Sequence, residues 1–95
     1  MPIHSGCILI VDDDPSVLDA LSAALDPPYE VVTARTGYAA LAAAERQPPD
    51  LVLLDYLLPD VSGLVILRTL KRRFPRLAVI LITGHGSEDV SVEAF

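Results

Sequence analysis

Three short runs in this chain are apolar at every position: Ile8-Leu9-Ile10-Val11, Leu51-Val52-Leu53-Leu54 and Leu77-Ala78-Val79-Ile80-Leu81-Ile82. A strand with one wet face alternates apolar and polar residues. Unbroken runs of this length, the first of them mostly β-branched, read instead as strands buried on both faces, as in a parallel sheet covered by helices. Glu30 to Ala34 reads as a weaker strand with polar flanks and belongs at an edge.

Helical patterns separate these strands. Asp14 can cap a helix, Pro15 suits its first turn, and Val17, Leu18, Leu21, Ala24 and Leu25 follow at helical spacing until Pro27-Pro28 stops it. Gly37 to Arg46 is alanine-rich, carries Leu41 on one face, and ends before Pro48-Pro49. Ser62 can cap a third helix bearing Leu64, Leu67, Leu70 and Phe74, closed by Pro75. A fourth helix is expected to begin after Ser87, with Glu88 to Phe95 as its first residues. The order β-α-β-α-β-α-β predicts a doubly wound α/β fold, in which ligands bind beyond the carboxyl ends of the strands.

The 95 residues suffice for one small domain, and 52% of them are hydrophobic. With a mean hydropathy of +0.45 the chain can bury a real core. No apolar run approaches the roughly 18–20 residues of a membrane span. Met1 to Ser5 lacks a positive charge and a signal-peptide layout, so the chain is expected in the cytoplasm. The single cysteine, Cys7, reads as a buried structural thiol. A net charge of −6 disfavours direct nucleic-acid binding, which needs a basic patch. The one basic cluster, Lys71, Arg72, Arg73 and Arg76, suits a solvated helix C-terminus.

The chemistry concentrates at the strand ends. Asp12, Asp13 and Asp14 follow the first strand, and Asp55 ends the third. Carboxylates at the ends of adjacent central strands converge and repel, and a hard divalent cation such as Mg²⁺ offsets that repulsion with oxygen ligands. One carboxylate can then act as a nucleophile toward a phosphoryl group. The fourth strand ends Ile82-Thr83-Gly84-His85-Gly86, where the Thr83 hydroxyl can donate to a phosphoryl oxygen and Gly84 leaves it space.

The segments Ile-Leu-Ile-Val-Asp-Asp-Asp-Pro from Ile8, Pro-Asp-Leu-Val-Leu-Leu-Asp-Tyr-Leu-Leu-Pro-Asp-Val-Ser-Gly-Leu from Pro49 and Val-Ile-Leu-Ile-Thr-Gly from Val79 together resemble the receiver domains of two-component response regulators. The resemblance covers essentially the whole chain, and the spacing from Asp55 to Pro59 to Gly63 is specific. It implies a flavodoxin-like sheet of order 2-1-3-4, with the fifth strand and helix missing, so that residues 1–95 form an incomplete receiver domain. It implies Asp55 as phospho-acceptor, Asp12 and Asp13 as an acidic pair with Asp13 the more direct metal ligand, the backbone carbonyl of Leu57 as a further ligand, Mg²⁺ as cofactor, and Thr83 as the switch hydroxyl. Leu57 and His85 fall on two variable positions that tune phosphorylation and dephosphorylation rates. Tyr56 and Asp60 read as loop residues, and Asp14 as a cap.

The family also uses a lysine at the end of its fifth strand. The only lysine here is Lys71, about 12 Å along the third helix from Gly63 at ~1.5 Å per residue, and it cannot substitute. With no fifth strand, residues 77–82 would be an exposed apolar edge, which predicts a homo-oligomer or strand-swapped assembly. The expected partners are a histidine kinase and an output domain in the parent protein, for which a DNA-binding module is common in the family. The function implied is phosphoryl acceptance in signalling without enzymatic turnover. Two alternatives stand beside it. One is an interaction or dimerisation module that keeps the fold without phosphorylation. The other is a phosphatase with an aspartyl intermediate, which would need an acid at the position of Leu57. No Gly-x-Gly-x-x-Gly follows the first strand, which argues against a dinucleotide site.

Overall fold

The computed structural model describes residues 6–83 and 91–95. The strands are β1 (Cys7–Val11), β2 (Glu30–Ala34), β3 (Leu51–Asp55), β4 (Ala78–Thr83) and β5 (Ser91–Ala94), and the helices are α1 (Pro15–Leu25), α2 (Gly37–Arg46) and α3 (Gly63–Arg73). They build one sheet of order β2-β1-β3-β4-β5. The first four strands are parallel, while β5 runs antiparallel to β4.

The continuous apolar runs behave as doubly buried strands. Leu9, Val11, Val52, Leu54, Val79 and Leu81 point to one face, where Ala40, Ala43 and Ala44 of α2 and Ile66, Leu67 and Leu70 of α3 cover them. Ile8 and Ile10 point to the other face, under Leu18, Leu21 and Leu25 of α1, with Leu51 and Leu53 beside them. The alanines of α2 let that helix lie close against the sheet. The weak strand β2 is the edge that its polar flanks predict. Each helix starts on a side-chain cap: Asp14 accepts from the Ser16 N–H, Thr36 from the Ala39 N–H and Ser62 from the Leu64 N–H.

The doubly wound sheet and the order 2-1-3-4 of its parallel strands stand as expected, but three expectations fail at the C-terminal side. A fifth strand is present, so the sheet is not limited to the order 2-1-3-4. Residues Ser91–Ala94, expected within a fourth helix, are extended and pair with β4 from Thr83↔Ser91 to Ile80↔Ala94. Phe95 continues the pairing by exchanging backbone hydrogen bonds with Val79 at 2.7 and 3.0 Å. The open edge of β4 offers a row of backbone donors and acceptors, whereas a helix shorter than about 12 residues gains little by itself. For the same reason residues 77–82 are not an exposed edge. Leu77 lies just before β4 and is buried, Ala78–Thr83 has a neighbour on both sides, and the edge argument for a strand-swapped assembly falls away. The readings of Met1 to Ser5, Gly84, His85 and the helix start at Ser87 lie outside the described residues.

Candidate functional site

The parallel register of β1 and β3 sets Val11 beside Leu54, so Asp12 and Asp13 emerge at the same end of the sheet as Asp55. The Asp12 N–H donates to the Ala34 carbonyl at 3.1 Å, which extends the β1–β2 ladder by one rung. The Asp12 carboxylate in turn accepts the Asp14 N–H on Oδ1 at 2.9 Å. Asp14 faces away into its capping role, accepting from both the N–H and the hydroxyl of Ser16. One carboxylate oxygen from each of Asp12, Asp13 and Asp55 lies within 4.8 Å of the other two.

Asp55 is the buried member, only 4% exposed. Its Oδ1 accepts the Leu57 N–H at 3.1 Å, which fixes the plane of the carboxylate over the turn that follows β3. Each pair of unit charges at such a separation repels by about 1 kcal/mol in water and about four times that at an effective dielectric of 20. Three carboxylates brought together at one end of the sheet, with Asp55 buried and Asp12 and Asp13 more exposed, are therefore stabilised as a group when a cation offsets their charge. Among the described residues the donors are all hard oxygens, with no thiolate or imidazole in the cluster, and that set fits an oxygen-preferring divalent cation such as Mg²⁺.

Gly63 makes the geometry possible. Its N–H donates to the Tyr56 carbonyl at 2.8 Å, which ties the start of α3 to the turn after Asp55. A Cβ on Gly63 would come within 2.4 Å of the Asp55 carbonyl oxygen and 2.8 Å of the Tyr56 Cα. Both are backbone atoms that have nowhere to go.

Thr83 ends β4 one residue beyond Ile82, the register partner of Asp55, and so sits half-buried at the same end of the sheet. Leu57 lies on the turn after Asp55 and is 52% exposed, with Tyr56 beside it. The structure thus brings Asp12, Asp13, Asp55, Leu57 and Thr83 to one end. Lys71 lies at the other, where its Nζ donates to the carbonyls of Leu77 at 2.7 Å and Pro75 at 3.3 Å, fastening the C-terminus of α3.

Two residues at the site carry roles that sequence reasoning missed. Asp60 is more than a loop residue: its Oδ1 accepts the Gly37 N–H and its Oδ2 the Tyr38 N–H, each at 2.9 Å, so it caps α2 from another loop. The bond from Tyr38 chiefly holds its carboxyl below the usual carboxylate range; desolvation opposes this, and the bond from Gly37 adds to it. Arg35, just past β2, donates from Nη2 to the Asp13 carbonyl at 3.2 Å. Both contacts join residues more than twenty positions apart, and local pattern carries no trace of them.

Residues 8–95 match the family model described as the response regulator receiver domain. TcrX of Mycobacterium tuberculosis, named as a transcriptional regulatory protein, is 46% identical over 81 residues, covering 84% of this chain and 35% of TcrX. The DNA-binding transcriptional regulator NtrC of Salmonella typhimurium is 36% identical over 94 residues, covering 98% of this chain and 20% of NtrC. A CheY-like receiver domain protein from Methanospirillum hungatei superposes with a TM-score of 0.80 at 37% identity, covering 86% of this chain and 66% of that one. The chain thus spans about a third or less of the length of these curated relatives.

Proposed function

Because the chain belongs to the response regulator receiver domain family, we propose that it accepts a phosphoryl group on Asp55 from the phosphohistidine of a histidine kinase, with Mg²⁺ held by Asp12, Asp13, Asp55 and the Leu57 carbonyl. The observation that carries this reading is the convergence of three carboxylate oxygens within 4.8 Å, with Asp55 the buried one. When bound, the cation supplies positive charge that offsets both the carboxylates and the oxygens of an incoming phosphoryl group.

The chain's own residues supply the rest. Asp55 presents a carboxylate oxygen to phosphorus. A P–O bond forms as the P–N bond breaks, and the donor ring, already protonated on its other nitrogen, takes the P–N electron pair and leaves as neutral imidazole. The Leu57 N–H holds Oδ1, so the nucleophile is oriented before the donor arrives. Thr83, at the neighbouring strand end, is the hydroxyl proposed to turn toward the bound phosphoryl group and report its presence to β4. The exposed Leu57 side chain at the mouth of the site is proposed to hinder a water that would hydrolyse the acyl phosphate. The chain would pass a signal to an output module in a longer parent, as in relatives named transcriptional regulators, and would not turn over substrate as an enzyme. Since kinases of this kind draw phosphoryl groups from cytoplasmic ATP, the cytoplasm is the proposed compartment. No helix among the described residues is long and apolar enough to cross a membrane.

Incubation with acetyl phosphate and Mg²⁺ followed by intact-mass measurement tests the reading. The expected result is a gain of one phosphoryl group that disappears without Mg²⁺ and in Asp55→Asn. No gain in the wild-type chain would leave an interaction module that keeps only the fold.

A further inference from the structure

The turn after β2 together with the first two residues of α2, Arg35 to Tyr38, touches both sides of the carboxylate cluster. On the β1 side, the Arg35 guanidinium donates to the Asp13 carbonyl at 3.2 Å. On the β3 side, the Gly37 and Tyr38 N–H groups each donate to the Asp60 carboxylate at 2.9 Å. Asp60 stands in the loop that runs from Asp55 to α3, and Gly63 at the far end of that loop is bound to Tyr56. The turn itself is stiff. Thr36 caps α2 through the Ala39 N–H at 3.1 Å, and the Ala40 N–H donates to the Thr36 carbonyl at 3.0 Å. It is also seated without slack: a Cβ on Gly37 would meet Val61 Cγ1 at 2.5 Å and Ile66 Cγ1 at 2.8 Å.

We propose that the Arg35–Tyr38 turn is a brace for the metal centre. Arg35 is a positioning residue for the Asp13 segment, and Asp60 is the anchor by which the same turn holds the Asp55 loop. The inference rests on the proposed function, since it supposes that the carboxylates bind Mg²⁺. Two effects of Arg35 oppose each other. Its positive charge repels a cation, which weakens binding, whereas its bond to the Asp13 carbonyl holds a ligand-bearing segment in place, which strengthens it. Arg35 is exposed, so solvent screens its charge. The bond fixes backbone next to a ligand, and outer partners of this kind shift metal affinity by about tenfold or more. Positioning therefore wins, and the sign of the effect on Mg²⁺ affinity is the test.

Isothermal titration of the whole chain with MgCl₂ reads that sign without any phosphoryl transfer. Wild type is expected to bind, and Asp55→Asn to weaken or abolish binding. Arg35→Met is expected to weaken Mg²⁺ by about tenfold with an unchanged melting temperature, and Arg35→Lys, which keeps a donor able to reach the carbonyl, to recover most of the loss. Equal or tighter binding by Arg35→Met while wild type binds Mg²⁺ overturns the brace and leaves the metal reading intact. Absence of binding by wild type removes both. Hydrogen exchange on the metal-free chain gives a second readout. Asp60→Ala frees Gly37 and Tyr38 whatever else is true, but a brace also transmits the loss to the Asp14 N–H, which bonds to Asp12 on the far side. Faster exchange confined to Gly37 and Tyr38 would reduce Asp60 to a local cap and overturn its part in the brace. Should Asp60→Ala not fold, Asp60→Asn, which retains one acceptor, takes its place.

Discussion

Asp60 accepts two backbone N–H groups from α2, and that arrangement favours its ionised form. A carboxyl held below its ordinary value of 3.8 stabilises the fold at every pH above that value, and the contribution is lost as the pH falls through the lower folded value. Urea melts of wild type and Asp60→Asn should therefore differ at pH 6, with wild type the more stable, and the gap should close as the pH falls below about 4. A gap unchanged at pH 2 would mean that packing of the side chain, and not its charge, sets the difference. At this scale the acid trio was legible. Asp12, Asp13 and Asp55 sit at the ends of apolar runs, and parallel pairing leaves such residues no other place to go. Asp60 and Arg35 were not legible, because each acts on a backbone group delivered by a different crossover, and no spacing in the sequence records that.

The helices and four of the strands follow from capping and periodicity. Asp14 and Ser62 announce their helices, and the prolines after α1, α2 and α3 mark where each cannot continue. Thr36 was silent, since the alanine-rich pattern starts at Gly37, yet its side chain holds the first turn of α2. Thr36→Ala should cost about 1 kcal/mol in chemical denaturation. If the Arg35–Tyr38 turn depends on that cap, the substitution should also raise exchange at Gly37 and Tyr38. The strand β5 was misread for a physical reason. Ser91–Ala94 spans only four residues, too short for its polar–apolar alternation to stand out, and takes its conformation from the open edge of β4. Short segments carry too little internal preference to resist a neighbour of that kind.

At the scale of the whole molecule, two apolar clusters sandwich the sheet, one under α1 and the other under α2 and α3. Leu54 lies fully buried in the second, next to Asp55, the proposed acceptor. Leu54→Ala should therefore destabilise the fold by about 2–5 kcal/mol in urea melts, far more than truncation of the exposed Val65 on α3. The same sheet order shapes how the chain must come together. Cys7 pairs with Glu30, Ile8 with Leu51 and Leu51 with Ala78, so each parallel partner arrives only after a crossover, and the pairing of β4 with β5 is the most local in the sheet. Such topologies fold more slowly than helical bundles, because long loops must close before pairing rewards them. On the ribosome, β1 emerges first and finds β2, but its other side waits for β3 to be made. Until then the apolar segment that ends at Val11 has half its ladder open, and the nascent chain depends on the speed of its own synthesis to bury it.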